Sequence, residues 1–507
     1  MARQNAVMAA LTTEKRPDPP QRTAVLRATA RGGLLNLAGA GVAAVGGLAI
    51  TWLAAAALGP DAAGQFFAAS SAFLLAAAVA RLGTPTGLVY WLARIDYDDG
   101  PVTMGAILRA ALIPAGVVSA GFAVVGVFAG EHTAAWFAGS DGAYVDMLRV
   151  LSVFVPAAVA MEALLAATRG FQRMRATVVV DKLGRTLAQL GLLVAAVTWI
   201  GGDPTAAALA WALPYLPAAV AAAWWLYRMR PARTAPPPPP ESSHDTTRRF
   251  WAYTAPRALA GVAQLALQRL DILLVAGMLG FAEAAIYTVA TRFVAVGQLI
   301  ASAIGTAVQP RLASSLARSD HATAQRLYQS STCWIVLTTW PFYLLTALAA
   351  PWYLRLFGPE YVTDQAVTTV WLLAGGMLVA TACGVVDSVL VMAGRTGWQL
   401  YSVAGALAVN VALNLLLIPS LGILGAAVAW AAALAVNNLV PLAQLAFGVR
   451  LHPLGRGTLT AMALAGVCCG VLPAFAGLAG EPAAALAFGA GGCVYVISAW
   501  RMRKNLV

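Results

Sequence analysis

The sequence predicts an all-α polytopic membrane protein of about 14 transmembrane helices, arranged as two pseudo-symmetric six-helix bundles plus two C-terminal helices. Of its 507 residues, 60% are hydrophobic and only 11% are charged, and the mean hydropathy is +0.74. Apolar stretches of about 20 residues, long enough to cross a hydrocarbon core, recur from Gly32 to Trp500. These stretches are rich in Ala, Leu, Val and Gly, and such a chain satisfies its backbone hydrogen bonds in lipid as helices.

The predicted spans fall into two groups separated by one polar interruption. Six spans precede it, at 32–58, 66–82, 104–128, 144–168, 177–200 and 205–227. Eight spans follow it, at 251–280, 283–308, 332–356, 366–393, 399–418, 423–448, 458–478 and 483–500. The grouping predicts two bundles of equal size and a further helix pair.

Composition divides the chain into five segments. They are an N-terminal cytosolic tail at 1–31, a first bundle at 32–228, a linker at 229–248, a second bundle at 249–448, and two extra helices with a short tail at 449–507. The linker contains the run Pro236–Pro240, which neither helix nor apolar packing can use, and we expect a stiff solvated spacer. A proline run can also be a ligand for a partner protein. The tail lacks the apolar core and cleavage site of a signal peptide.

The basic residues predict the topology. Lys and Arg concentrate in alternate loops, at Arg94, Arg169, Arg173, Arg175, Arg228, Arg230, Arg311, Arg318, Arg395, Arg450 and Arg456, whereas the other loops hold only Arg355. Short cytoplasmic loops carry most of the positive charge in membrane proteins. We therefore expect a multi-pass protein of the bacterial inner membrane with both termini in the cytoplasm.

Composition also argues against several classes of function. The net charge of +12 could suggest a nucleic-acid partner, but the basic residues are spread along the chain at helix ends. All five cysteines fall within apolar spans and have no metal-ligand spacing, and the four histidines are scattered. We therefore predict no nucleic-acid partner, no metal, no cofactor and no enzymatic activity.

Two pairs of segments suggest that the halves arose by duplication. Leu58–Phe66 follows the first span and Leu279–Tyr287 follows the seventh, at an offset of 221 residues. Ala207–Ala212 in the sixth span matches Ala426–Ala431 in the twelfth at an offset of 219. Because each half begins in the cytoplasm, we expect the halves to be related by an axis along the membrane normal, as in transporters with parallel repeats.

Several short motifs carry a family resemblance. They are Leu58–Pro60, Gly170–Arg173, Leu270–Leu274, Ile286–Arg292, Gln309–Leu312, Ala393–Arg395, Asn410–Pro419 and Gly422–Ala427. In this order and spacing, the chain resembles the polysaccharide biosynthesis and oligosaccharide flippase family of the multidrug/oligosaccharidyl-lipid/polysaccharide exporter superfamily. The resemblance implies a V-shaped pair of bundles around a central cavity lined largely by the first two helices of each half. Two extra C-terminal helices are common among the superfamily's lipid-substrate members.

Polar residues in the seventh span form a stripe. Arg257, Gln264, Gln268 and Asp271 are spaced at i, i+7, i+11 and i+14, which places them within about 60° of one another on one helical face. Arg269 lies on a different face. A charge at bilayer depth costs about 2.5 to 3.5 kcal/mol on insertion scales, so it needs a polar cavity or a partner. The stripe therefore indicates either a substrate pathway or packing between polar helices.

Other spans add further candidates. We expect Arg81 to snorkel towards the membrane surface, Arg185 to pair with Asp181 at i and i+4, and Asn410 and Asn414 to join helices. The candidate substrate-binding residues are Arg257, Gln264, Gln268, Arg269, Arg292, Arg109, Arg81 and Arg185. The candidate residues for a coupling ion are the membrane carboxylates Asp271, Asp387 and Glu162.

These residues and the resemblance predict a flippase. A lipid pyrophosphate headgroup requires fixed cations in a cavity of low dielectric constant, and guanidinium groups supply bidentate donors that stay charged. We expect a polyprenyl-pyrophosphate-linked glycan to be translocated outward by alternating access. The partners would be this glycan, membrane lipids and other polysaccharide-assembly membrane proteins. The alternatives are a drug or cation antiporter of the same superfamily and a non-transporting scaffold for polysaccharide assembly.

Overall fold

A computed structural model describes residues 19–93, 104–128, 132, 142–171, 173–229, 243–477 and 481–506. Nearly all of these residues are helical and none of them lies in a strand. The predicted fold class is therefore confirmed. The linker residues 230–242 and the tail residues 1–18 lie outside the described part.

The first half contains the helices up to Arg228. They are α1 (Pro19–Ala80), α2 (Thr84–Leu92), α3 (Met104–Phe128), α4 (Gly142–Val153), α5 (Val155–Gly170), a π-helical segment (Thr177–Arg185), α6 (Thr186–Ile200), α7 (Pro204–Ala212) and α8 (Tyr215–Arg228). The break at Phe154 separates α4 from α5, and Pro156 lies in the first turn of the new helix, where a missing N–H breaks no helical hydrogen bond. Helix α1 begins inside the predicted tail.

The second half and the C-terminal helices follow. They are α9 (Ser243–Leu279), α10 (Phe281–Ala317), α11 (His321–Leu348), α12 (Ala350–Arg355), α13 (Asp364–Ala382), α14 (Val386–Met392), α15 (Thr396–Leu421), α16 (Ile423–Gly448), α17 (Arg456–Ala465), a π-helical segment (Gly466–Val471), α18 (Leu472–Gly477) and α19 (Glu481–Leu506). Helix α9 begins within the stretch that the sequence assigned to the linker.

The helix lengths match the predicted number of crossings. Within the described residues, 12 helical stretches are long and apolar enough to cross a membrane. The first of these, Ala38–Ala80, is 43 residues long and is divided at Gly59. Counting its two arms separately and adding the 26-residue α19 gives the predicted pattern of six spans followed by eight.

Single glycines reverse the chain at the start of each half. Gly59 has φ 75° and ψ 170°, and Gly280, which joins α9 to α10, has φ 104° and ψ 173°. This backbone region is essentially restricted to glycine. The two glycines are separated by the predicted repeat offset and adopt the same conformation, so each half opens with the same helical hairpin.

The two halves touch at both ends of the bundle. At the Gly59 end, the indole N–H of Trp52 donates to the Leu356 carbonyl at 2.6 Å and the Tyr361 hydroxyl donates to the Ala55 carbonyl at 3.1 Å. At the opposite end, the rings of Tyr90 and Tyr253 stack with centroids 3.7 Å apart. The open V shape implied by the resemblance is therefore closed on both sides.

The C-terminal helices pack on the outside of the second half. A cluster of buried side chains joins α11 to α17, its π-helical continuation and α19, and includes Val336, Ala461 and Cys469. The hydroxyl of Tyr495 donates to the Leu337 carbonyl at 2.6 Å. The extra helix pair thus leaves the interface between the halves uncovered.

Replacement of Gly280 by Ala should destabilise the protein through the backbone alone. An added Cβ would meet no atom within 4 Å, but the φ of 104° is unfavourable for any residue with a Cβ. We expect a loss of about 1 to 3 kcal/mol, measured as a lower midpoint of thermal unfolding in detergent. Gly261→Ala is the matched control, because Gly261 lies in α9 with equally open space and ordinary helical φ. Equal midpoints for the two variants would contradict this account.

Candidate functional site

A central cavity of about 380 Å³ lies between the halves. Both arms of α1 contribute to its wall, together with α5, the first π-helical segment and α6 to α8, and α9 and α10 complete it from the second half. Its polar lining residues are Thr51, Ser70, Glu162, Asp181, Arg185, Thr186, Gln189, Tyr215, Arg269 and Arg292. The predicted contribution from the first two helices of each half is present, but the first half supplies much more of the wall than that.

Arg269 and Arg292 form the cationic side of the central cavity. They come from the two arms of the α9–α10 hairpin, and the Arg292 Nε donates to the Thr288 carbonyl at 3.3 Å. The Arg292 guanidinium also lies 6.0 Å from the centre of the Phe67 ring. Within the described residues, no carboxylate lies within 4.0 Å of either guanidinium. Their charge therefore has no protein counter-ion there.

Arg185 faces them from the first half, and it is neutralised. Its guanidinium contacts Asp181 at 2.8 Å and donates to the Gln189 Oε1 at 2.8 Å. The Gln189 amide in turn donates to the Trp211 carbonyl at 2.7 Å. Asp181 also contacts the ammonium of Lys182 at 3.1 Å. The predicted pair of Asp181 and Arg185 is present, with Lys182 as a second partner.

The prediction that Arg81 snorkels to the membrane surface is wrong. The Arg81 guanidinium forms an ion pair with Glu162, a lining residue of the central cavity, and its Nε donates to the Ala77 carbonyl. Glu162 comes from α5. Periodicity within the second predicted span, which contains Arg81, does not predict which residues of another helix lie beside it. A carboxylate at bilayer depth is a better partner for the charge than a long reach to the headgroups.

The charges around the central cavity do not cancel. Arg81 balances Glu162, and Asp181 balances Arg185, so the first-half wall is close to neutral apart from Lys182. Arg269 and Arg292 have no carboxylate partner among the described residues. The cavity therefore carries net positive charge, concentrated on the second-half wall.

Aromatic rings form another part of the first-half wall. The Trp211 ring lies edge-on to Phe66 and Phe73 at centroid distances of 6.2 and 5.4 Å. Tyr215 lies 5.4 Å from Phe73, and the Arg185 guanidinium is 5.0 Å from the centre of the Tyr215 ring. Packing against the Tyr215 ring therefore adds to the hydrogen bonds with Asp181 and Gln189 that hold Arg185 in place.

Asp271 lies in a smaller adjoining cavity of about 110 Å³. Arg269 and Arg292 line both cavities, and Gln268 lines the smaller one. The buried Asp271 carboxylate accepts from the Asn414 amide at 2.9 Å and from the Tyr287 hydroxyl at 3.2 Å. The interhelical bond expected of Asn414 is thus present, between α15 and α9.

Four predicted site residues lie away from the central cavity. Arg257 is exposed, donates to the Tyr253 carbonyl at 2.8 Å and stacks 3.8 Å over the Tyr253 ring. Gln264 is exposed further along α9, and Arg109 is exposed on α3. Of the four residues in the α9 stripe, only Gln268 and Asp271 therefore line a cavity, the smaller of the two. Asp387 lines a separate cavity of the second half.

Sequence reasoning passed over other residues of the central cavity. Thr51 and Ser70 are isolated small polar residues in apolar helices, and Trp211 and Tyr215 resemble ordinary core aromatics. The repeated Ala207–Ala212 segment was the one feature of the sequence that indicated this part of the wall. Trp211 lies inside that segment.

The fold and the site together define a polytopic transporter-like protein in which two helical halves enclose a cationic cavity. The polysaccharide biosynthesis protein family matches residues 30–316, more than half of the chain, and the chain belongs to this family. The MatE family also matches, over residues 256–416. The family resemblance seen in the sequence is confirmed.

Solved structures of the multidrug/oligosaccharidyl-lipid/polysaccharide exporter superfamily share the fold. The lipid II flippase MurJ, in an inward closed conformation, has 13% identity and a TM-score of 0.73, covering 94% of this chain and 99% of its own. A superfamily transporter from Pyrococcus furiosus has 16% identity and a TM-score of 0.56, covering 87% and 96%. A eukaryotic MATE transporter has 15% identity and a TM-score of 0.59, covering 87% and 99%. Among curated proteins, none matches the chain in sequence.

Asn414→Ala should destabilise the second half, because the buried Asp271 carboxylate loses a donor. We expect a cost of about 1 to 3 kcal/mol, read from thermal unfolding in detergent. Gln264→Ala, an exposed change on α9, is the control and should leave the midpoint unchanged. Replacing all three partners together, as Asp271→Leu with Asn414→Leu and Tyr287→Phe, should recover part of the loss, because no buried donor is then left unpaired. An unaltered midpoint in Asn414→Ala would exclude a structural role for this bond.

Proposed function

We propose that this protein is a flippase for a lipid-linked oligosaccharide or polysaccharide precursor. The substrate would be a polyprenyl-pyrophosphate glycan, carried from the cytoplasmic to the outer leaflet of the bacterial inner membrane. The single observation that carries the proposal is the pair Arg269 and Arg292, two guanidinium groups without a counter-ion among the described residues, in a cavity enclosed by both halves. Family membership and the fold shared with the lipid II flippase MurJ support it.

The chemistry of the headgroup fits these two residues. A diphosphate presents several acceptor oxygens, and guanidinium groups bind such oxygens in bidentate fashion without losing their charge. Binding would supply the counter-charge that the protein lacks at this point. The polyprenyl chain would remain in the bilayer, and the aromatic wall around Trp211 offers apolar faces to a sugar ring.

The contacts between the halves suggest how access alternates. Tyr90 and Tyr253 close one end of the central cavity, and the Trp251 indole donates to the Ala110 carbonyl nearby at 3.2 Å. Trp52 and Tyr361 close the other end. In the topology that the basic loops predict, the Tyr253 end faces the cytoplasm. Substrate would enter there and leave at the Gly59 end.

A drug or cation antiporter is the second candidate, because MATE transporters share the fold. Such a transporter requires free carboxylates for a cationic drug, and the central cavity does offer Glu162 and Asp181. Both are already engaged, by Arg81 and by Arg185 and Lys182. The pairing favours an anionic substrate. A resistance assay with cationic drugs in cells with and without the protein distinguishes the two.

Neutralising the free guanidinium groups should block export. In a deletion strain, the lipid intermediate that accumulates in the inner leaflet identifies the substrate by mass spectrometry. We expect Arg269→Gln or Arg292→Gln to lower export about tenfold or more, since a hydrogen bond to a charged group contributes about 1.5 to 3 kcal/mol. Both variants should remain in the membrane at wild-type amounts.

Arg318→Gln is the matched control for these variants. Arg318 is exposed at the end of α10, outside the cavity, and its removal should leave export unchanged. Arg257→Gln should also export normally, although the stripe in the sequence had assigned Arg257 to the site. Wild-type export in both Arg269→Gln and Arg292→Gln would refute the proposal and favour the scaffold alternative.

A further inference from the structure

A pocket of about 450 Å³ lies at one end of the second half and shares no lining residue with either cavity of the candidate site. Three turns of the chain meet in its wall. They are the turn between α10 and α11, the turn between α14 and α15, and the residues that follow α16. The basic loops predict that this end faces the cytoplasm. Because the three turns follow membrane-spanning helices, we expect the pocket to lie at the level of the inner-leaflet headgroups.

Each of the three turns contributes one basic side chain to the pocket. They are His321, Arg395 and Arg450, and within the described part of the chain no acidic residue lines the wall. No Asp or Glu carboxylate among the described residues lies within 4.0 Å of these three side chains. The positive-inside rule accounts for the sign of these residues but not for their convergence on one pocket. The pocket therefore carries positive charge that those residues do not neutralise.

The acid nearest to these side chains in sequence does not cancel this charge. Asp320 precedes His321, but its carboxylate accepts from the backbone N–H of Thr323 at 3.0 Å and so caps the N-terminus of α11. A carboxylate is stabilised at a helix N-terminus by the helix dipole. Asp320 is not a lining residue of the pocket.

Both arginines are held at the pocket wall. Arg450 follows the end of α16 with a φ of +60°, a left-handed conformation that glycine usually adopts after a helix. Arginine is unfavourable for folding at such a position, which indicates another use for its side chain. The Arg395 guanidinium packs 4.4 Å from the centre of the Trp398 ring, which restricts its orientation.

The remaining lining residues are apolar. They include Leu316, Met392 and Val449, one from each of the three turns. Phe447, two residues before Val449, is 89% exposed, and at the end of a membrane-spanning helix acyl chains would cover such a side chain. Basic pockets between membrane helices on the cytoplasmic side bind the headgroups of anionic lipids. The combination of basic and apolar groups matches the two parts of a phospholipid, its phosphate and its acyl chains.

We propose that this pocket binds an anionic phospholipid of the cytoplasmic leaflet, with Arg395 and Arg450 as donors to the headgroup phosphate and His321 as a third donor. Guanidinium groups bind phosphate oxygens in bidentate fashion and stay charged. The bound lipid would connect three turns of the second half, so it should stabilise the fold. This binding does not involve the translocated substrate and goes beyond the flippase proposal.

The test is the lipid dependence of thermal unfolding of the purified full chain in detergent. Midpoints are compared after addition of phosphatidylglycerol, of phosphatidylcholine with the same acyl chains, and of inorganic phosphate, and native mass spectrometry counts the bound lipid. We expect a concentration-dependent rise in midpoint with phosphatidylglycerol alone. Arg395→Gln and Arg450→Gln should each weaken the apparent affinity for this lipid about tenfold, because each removes charged hydrogen bonds to the phosphate.

Arg450→Gly separates lipid binding from folding. Glycine removes the guanidinium and also relieves the left-handed backbone. The midpoint without lipid should therefore not fall below that of the wild type, whereas the response to phosphatidylglycerol should weaken as much as in Arg450→Gln.

Arg456→Gln is the matched control, because Arg456 is exposed at the start of α17, on the same predicted side of the membrane but outside the pocket. It should keep the full response. The assignment would be overturned by the absence of a rise in the wild type, by an undiminished response when Arg395→Gln and Arg450→Gln are combined, or by an equal loss in Arg456→Gln. An equal rise with phosphatidylcholine or with inorganic phosphate would also overturn it, in favour of acyl chains alone or of a free anion. None of these measurements involves translocation, so their outcome is separate from that of the flippase proposal.

Discussion

The uncompensated charge of Arg269 and Arg292 is the constraint on which the rest of the site depends. Each guanidinium lies on a membrane-spanning helix, where an unpaired charge costs several kcal/mol unless water or a counter-ion reaches it. Arg81 and Arg185 have found carboxylates within the first half. The two cations of the second half have no counter-ion, which lowers the stability of the folded protein. An anion that enters the central cavity recovers that free energy.

Asp271 shows how the second half keeps them free. It is two residues from Arg269 on α9 and lines the same small cavity, so it is the nearest carboxylate in sequence that could neutralise the pair. Its oxygens instead accept hydrogen bonds from Asn414 and Tyr287. These donors come from α15 and α10, and they hold the carboxylate against the interior of the half. Packing within the second half thus prevents an ion pair that would cancel the charge of the cavity.

The sequence predicted what depends on local chemistry. Span lengths follow from hydropathy, and the repeat offset located Gly59 and Gly280, whose shared φ above zero only glycine supplies readily. The charged residues within the apolar spans could also be identified from the sequence. What could not be predicted was which side of α9 faces the other half, since periodicity gives relative angles within a helix and not its rotation in the bundle. For this reason Arg257 was assigned to the candidate site, although it lies outside the central cavity.

Polar and ring contacts at the two ends of the cavity contribute to the free energy of opening, in addition to the apolar core that joins the halves. The Gly59 end is held by the hydrogen bonds of Trp52 and Tyr361, and the other end by one from Trp251 and by the stacked tyrosines. Each hydrogen bond contributes about 0.5 to 1.5 kcal/mol net, and no described ion pair joins the halves. The polar contacts of the two ends are therefore of similar strength. When two conformations differ by a few kcal/mol, a ligand that binds one of them more tightly by the same free energy can shift the population to it. The free guanidinium groups can provide this difference in affinity.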